Sequence, residues 1–214
     1  MKRVLVGFTL FLLALTVTAS AQDTHETLFA SPVQHGGFGG VVTKMTAIQG
    51  EMGLMVGGYG GWLIDHRLMI GGGGYGLASS IRARGEAEEA YAMNGERLYV
   101  EFGYGGVMLE YILAPHRLVH VNVQALVGAG GVNYREDWYD DFLDDNADHH
   151  RHGRTEALFV VEPAVNVELN LTEWMRLSAG ASYRFVNGID ELRGIEDKDL
   201  SGASGQLSLK FGAF

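Results

Sequence analysis

The stretch REDWYDDFLDDNADHHRHGR, residues 135–154, gathers the side chains best suited to chemistry. It carries Glu136, Asp137, Asp140, Asp141, Asp144, Asp145 and Asp148, then His149, His150 and His152. Asp144-x-Asn146-x-Asp148 begins as a calcium loop does, with oxygens at alternate positions converging on a hard cation. The match then breaks. The sixth position is His149 where such a loop turns on Gly, and the twelfth is Thr155 where a Glu would close the shell. Imidazoles beside carboxylates suit zinc, nickel or copper. The set Asp144, Asn146, Asp148, His149, His150 and His152 is thus the candidate divalent-metal site, set against the commoner reading of a solvated acidic loop. Such a loop could also bridge through divalent ions to anionic lipid headgroups. No other cofactor is expected.

Acyl transfer or lipid hydrolysis would need a His, a Ser or Thr and an acid converging at one place. The loop histidines with Ser79, Ser80 or Ser201 supply the residue types, but no spacing singles them out. The expectation is a protein without catalysis. A second ionisable set is spread along the chain: Glu101, Glu110, His120, Glu162, Glu168, Arg176, Arg184 and Lys210, together with Asn122 and Gln124. Charges held away from water must be paired. These are expected to form a packed ionic network that plugs the interior of a barrel. The sharper reading is a selective path for ions or small solutes.

What positions these groups is a period of two. In RLSAGASYRFV, Leu177, Ala179, Ala181, Tyr183 and Phe185 fall on one face and Arg176, Ser178, Gly180, Ser182 and Arg184 on the other, which a strand separates and a helix mixes. Phe159 to Leu171, Val119 to Gly128 and Gln206 to Phe211 alternate in the same way. Such segments number eight, at roughly 36–47, 51–64, 67–81, 97–113, 117–133, 155–170, 174–187 and 202–213. Asp65-His66, Ala114-Pro115-His116 and Leu171-Thr172-Glu173 make short turns; Arg82–Glu96, Tyr134–Arg154 and Asn187–Ser201 make long polar loops. Only the first connection, near Ile48–Gly50, departs from that alternation.

Short turns at one end and long loops at the other predict an all-β fold: an eight-stranded, antiparallel, up-and-down transmembrane β-barrel. A bilayer leaves no unpaired backbone group satisfied, so the sheet must close. Trp62, Tyr111 and Trp174 lie beside the short turns and are expected to form one interfacial rim. The apolar faces are expected to look outward into lipid and the ionisable faces toward the axis. The alternative is a soluble periplasmic, lipocalin-like barrel with a small apolar ligand inside.

Glycine is the other signature, with 31 in the chain. GGYGGWLIDHRLMIGGGGYG, residues 57–76, places them in near mirror image about one turn. A two-residue Asp65-His66 turn would set Gly60 opposite Gly71, Tyr59 opposite Gly72 and Gly58 opposite Gly73. Gly-aromatic-Gly units recur around Phe38, Tyr59, Tyr75 and Tyr104. A narrow barrel coils tightly, Gly permits that bending, and a neighbouring ring recovers packing over the bare backbone. The alternation slips near Gly105-Gly106, which predicts a bulge there. The second reading is a thin outer wall against which a lipid chain, a surface ligand or a second barrel packs.

Residues 1–21 read as a secretory signal peptide. Lys2 and Arg3 precede an apolar run, Val4–Val17, and Ala19-Ser20-Ala21 marks cleavage after Ala21. Residues 22–35 form an N-terminal segment and 36–214 the barrel domain. The net charge is −10, which argues against nucleic acid as a partner. With no Cys, an exported chain here holds together without disulfides.

The blocks HGGFGGVVTKMTAIQGEMGLMVGGYGGWLIDHRLMIGGGGYG, GYGGVMLEYIL and VGAGGVNYR, spanning most of residues 35–135, resemble a family of Gly-rich β-barrel proteins exported by Gram-negative bacteria. The architecture is similar to the small OmpA/OmpX-type barrels. The resemblance implies a fold and an outer-membrane location, with outer-membrane lipid as the partner, and implies no activity. One feature departs from such barrels: Phe214 shares parity with Lys210 and Ser208, whereas Leu207, Leu209 and Phe211 fall on the other face.

Overall fold

The computed structural model describes residues 33–92, 97–136 and 152–214. The signal-peptide segment, most of residues 22–35 and the candidate metal ligands Asp144, Asn146, Asp148, His149 and His150 lie outside the described residues. His152 is placed by its backbone alone.

Eight antiparallel strands close into one barrel in sequence order: β1 (His35–Ile48), β2 (Glu51–Ile64), β3 (Leu68–Leu77), β4 (Leu98–Leu113), β5 (Val119–Glu136), β6 (His152–Asn170), β7 (Met175–Asn187) and β8 (Gly202–Ala213). β8 closes the sheet on β1, with Val41 opposite Leu209. Among the described residues, two short helices, α1 (Gly85–Tyr91) and α2 (Asp197–Leu200), sit in the third-to-fourth and seventh-to-eighth connections.

The alternation resolves as apolar outside and polar inside. Val119, Val123, Val165, Val167 and Phe185 are exposed; His120, Asn122, Glu162, Glu168 and Arg184 are buried. Val41 is 63% exposed and Val165 55%, values that water would penalise and a bilayer would not. This is the surface of a transmembrane barrel. Buried apolar residues line the long-loop half of the interior, among them Ile48, Met55, Leu98, Val100, Phe102 and Val160, and Leu63, Met69 and Ile112 are buried at the short-turn end.

The β2–β3 hairpin corrects the expected register. Asp65 and His66 both have positive φ, 52° and 57°, and Arg67 N–H donates to Ile64 O at 3.1 Å. The pairing closes on Ile64 opposite Leu68, so the turn holds three residues. Gly60 therefore faces Gly72, Tyr59 faces Gly73 and Gly58 faces Gly74. The cause is burial: Tyr59, Leu63, Met69 and Tyr75 all point inward, and a one-residue slip would turn one strand's set toward lipid.

The expected bulge at Gly105-Gly106 is absent as well. Both ladders of β4 run in register through these residues. The irregularity lies instead between Val132 and Tyr134, where β5 meets β6. An unbroken β4 gives Glu101 the parity of Val107 and Leu109, so Glu101 is exposed on the outer face and takes no part in the lumen. Phe102 and Tyr104 fill that level of the interior instead. β8 too runs without a shift, and Phe214 packs inside, its ring 5.4 Å from Phe38.

Candidate functional site: the lumen and the outer wall

Tight coiling begins the site. A Cβ added at Gly71 would meet Gly60 O at 2.0 Å, and one at Gly128 would meet Gly105 O at 2.1 Å. Inward glycines are therefore required by the approach of neighbouring strands. Rings cover them. Tyr59 faces Gly73, Tyr75 faces Gly57, Tyr104 faces Gly130 and Phe38 faces Gly212. Phe38 meets Tyr59 edge to face at 5.8 Å, and Tyr75 lies 5.5 Å from Tyr104.

These rings in turn receive the cations. Lys44 Nζ lies 3.5 Å from the centre of Tyr75, Lys210 Nζ 4.9 Å from Phe38, and the Arg184 guanidinium 5.1 Å from Phe102. Cation–π attraction is strongest where both partners are desolvated, as here. At the base, Arg176 stacks 3.9 Å over Phe214.

Two carboxylate clusters complete the lumen. Near the short turns, Glu168 Oε1 accepts from Arg176 Nη1 at 3.1 Å and meets His120 Nε2 at the same distance. Its Oε2 accepts from Asn122 Nδ2 at 2.8 Å and from Lys210. Lys210 also donates to Glu110 Oε1 at 2.6 Å, while Glu110 Oε2 accepts from Gln124 Nε2 at 2.8 Å. Higher up, Glu162 accepts from Lys44 Nζ at 2.9 Å, Tyr104 Oη at 2.5 Å and Ser182 Oγ at 2.5 Å. Both clusters are saturated with donors, the condition under which buried charge is tolerated.

Arg184 stands apart. Its Nε donates to the Leu200 carbonyl at 2.7 Å, Nη1 to Met55 Sδ at 3.1 Å and Nη2 to Thr46 Oγ1 at 3.4 Å. Among the described residues it has no carboxylate partner, and the buried strand residues comprise three acids (Glu110, Glu162, Glu168) against four cations (Lys44, Arg176, Arg184, Lys210). Leu200 belongs to α2, so Arg184 ties the barrel wall to the loop above it. The same loop receives Gln49 Nε2 on Gly194 O at 2.9 Å and Tyr134 Oη on Arg193 O at 2.8 Å. Arg84 pairs with Asp199 at 2.9 Å. Gly194 has φ +83° and lies against Ala87 of α1, so the two loops meet over the mouth. Ile81, Ala87, Leu192, Ile195 and Leu200 are buried there.

The structure thus brings together Glu110, His120, Glu168, Arg176 and Lys210, and places Glu162 and Arg184 in the upper lumen. Sequence reading missed Lys44, the ion partner of Glu162. Its parity with Val42 and Thr46 was the available signal, but both faces of VVTKMTAI mix apolar and polar types. Ser79 Oγ accepts from Leu54 N–H at 2.9 Å, and Ser201 Oγ from Val186 N–H at 3.0 Å; both hydroxyls serve the backbone. Among the described residues no group of three or more His, Cys, Asp or Glu is arranged to hold a metal.

On the outside, Trp62, Tyr111 and Trp174 are exposed at the short-turn end. Trp174 stacks on Phe211 at 6.1 Å, and Trp62 lies 5.3 Å from the His35 ring. Above them the outward glycines pair across strands: Gly60 with Gly72, Gly58 with Gly74 and then Gly105, Gly76 with Gly103 and then Gly131. Unlike the inward set, Gly39 and Gly76 have open space where a Cβ would stand.

No protein family's sequence profile matches the chain, and no curated protein sequence matches it. Solved structures do. The N-terminal β-barrel domain of Pseudomonas aeruginosa OprF aligns over 84% of this chain and 98% of its own, with 10% identity and a TM-score of 0.51. Neisserial surface protein A aligns over 86% and 99%, with 13% identity and a TM-score of 0.46. Ail, the attachment invasion locus protein of Yersinia pestis, aligns over 83% and 97%, with 9% identity and a TM-score of 0.41. The likeness is one of fold: this chain has the architecture of the small, eight-stranded OmpA/OmpX-type barrels.

Proposed function

We propose that this protein is a small outer-membrane barrel with a structural or surface-interaction role in the bacterial envelope, its lumen plugged by paired side chains, and without catalysis. The belt of exposed Val, Leu, Met and Phe around a closed sheet carries this reading. An aqueous compartment offers that belt no partner, whereas a bilayer covers all of it. Trp62, Tyr111 and Trp174 then serve as the interfacial rim on the short-turn side, and the long loops face outside the cell. The inward polarity of β5 to β8 counts against a soluble, ligand-carrying barrel, since such a cavity would be lined mainly by apolar groups.

Cell fractionation with heat-modifiable gel mobility tests it. The expected result is a membrane-pelleted protein whose unheated and heated forms migrate differently. Release in soluble form by osmotic shock would overturn it. The loop carrying His149 and His150 retains its proposed capacity for a divalent ion; calorimetry with zinc and calcium, on the wild type and a triple alanine variant at His149, His150 and His152, decides that point.

A further inference from the structure

A recess of about 390 Å³ opens on the outer face at the long-loop end, lined by Gly76, Leu77, Glu101, Gly103, Gly131 and Asn133, with Thr155 at its edge. Gly76, Gly103 and Gly131 are paired neighbours on three strands and form a floor of bare backbone. Glu101 and Asn133 are paired directly above them. Asn133 is 5% exposed; its Nδ2 reaches Thr155 Oγ1 at 3.5 Å, and its Oδ1 has no hydrogen-bond partner among the described residues. A buried acceptor left unpaired is unfavourable and rare, and here it borders a cavity.

Depth and charge identify the occupant. Tyr111 and Glu101 lie on the same outward face of β4, ten residues apart. At about 3.3 Å per residue and a tilt of about 40°, they are separated by roughly 25 Å along the membrane normal, the height of a barrel's apolar band. With Tyr111 at one interface, the recess opens at the other, at headgroup depth. Directly below it the wall continues as Gly74 and Gly105 beside the small Ala129, then Gly60 and Gly72, a shallow groove for an acyl chain bordered by Val107 of β4. The polar lining is rich in acceptors, the Glu101 carboxylate and Asn133 Oδ1.

We propose that this recess binds a membrane lipid whose headgroup donates hydrogen bonds, through hydroxyl, amide or ammonium N–H, with an acyl chain lying down the glycine wall. The inference rests on the membrane reading above and names the partner of that surface. Nothing at Gly76 blocks a side chain, so the floor of the recess is bare there without steric need.

The test is native mass spectrometry of the folded barrel taken from mixed vesicles of phosphatidylethanolamine and phosphatidylcholine. The two headgroups carry the same charges, but only the first has N–H donors. Retention of phosphatidylethanolamine should exceed that of phosphatidylcholine by about tenfold, the order expected of one or two hydrogen bonds. Gly76→Leu, which fills the recess from open space, and Asn133→Leu should each abolish the preference while keeping the folded gel mobility. Equal retention of the two lipids, a preference untouched by Gly76→Leu, or a dimer mass showing a second copy on the wall would each overturn it. Soluble fractionation of the wild type would instead strike the membrane reading itself.

Discussion

Lys44 and Glu162 meet across the interior at 2.9 Å, from strands that are not neighbours in the barrel. Lys44 is held from the other side by the Tyr75 ring, and Glu162 by Tyr104 and Ser182. The two halves of the pair are not equivalent, because Arg184 adds a second buried cation in the same upper lumen.

Removing the acid should therefore be worse than removing the base. Glu162→Gln leaves Lys44 and Arg184 buried without a counter-charge, and a loss of about 3–5 kcal/mol is expected. Lys44→Met leaves Glu162 with two hydroxyl donors and the Arg184 charge nearby, and should lose less. The double variant should recover part of the Glu162→Gln loss. Urea unfolding in lipid vesicles, followed by tryptophan fluorescence, checks the order. Equal losses for the two single variants would mean that Arg184 does not contribute.

Gly71 and Gly76 stand at opposite extremes of crowding. Gly71→Ala would drive a Cβ to 2.0 Å from Gly60 O, a backbone atom that cannot yield without moving the strand. A loss of at least 2 kcal/mol or failure to fold is expected. Gly76→Ala meets nothing within 4 Å and should be neutral or stabilising by about 0.5–1 kcal/mol, because Ala restricts the unfolded chain. The comparison is made by the same unfolding assay.

Those two glycines also show how far the sequence was legible. The mirror image about Asp65 revealed a hairpin and an unusual wall, because strand pairing and period two are local rules. It did not reveal which glycines are forced, since that depends on the face each presents and on how closely the neighbouring backbone approaches it. The face depends on register, and register depended on one residue, Arg67, that the turn absorbed. The inward identity of Glu168 and Arg176 followed from alternation in segments whose other face is uniformly apolar. Glu101 was misplaced because glycines at 103, 105 and 106 interrupt the pattern that would have fixed its parity. Asn133 and its recess had no local signal at all; they arise from the packing of three bare strands beside an irregular β5–β6 pairing.

Depth along the outer wall can be measured by charge. Val107 lies between Tyr111 and Glu101 on an outward face, within the apolar band. Val107→Arg should destabilise the barrel in vesicles by about 2–4 kcal/mol, while Glu101→Arg at the interface should change stability by about 1 kcal/mol or less. In a water-soluble barrel both substitutions would be nearly neutral. The difference between the two variants thus measures the lipid contact directly.

Arg184 is the buried cation without an acid partner among the described residues and also the link to α2, and the two roles predict opposite effects. Arg184→Met removes a cation that lacks an acid partner, so the strands should be as stable as before or more so. It also removes the 2.7 Å bond to Leu200 O, one of the ties holding the 188–201 loop over the mouth. Other ties stay in place: Gln49 to Gly194 and Tyr134 to Arg193 act further along the loop, while Arg84 and Gln49 N–H hold Asp199 and Val186 N–H holds Ser201 close to the lost bond. Trypsin should therefore cut faster after Arg193 or Lys198 in the variant, with the unfolding midpoint of the barrel unchanged or raised. Local opening of a loop and global unfolding are separate equilibria, and limited proteolysis reads the first without the second. A lowered unfolding midpoint with unchanged cleavage would show that the guanidinium supports the strands and not the loop.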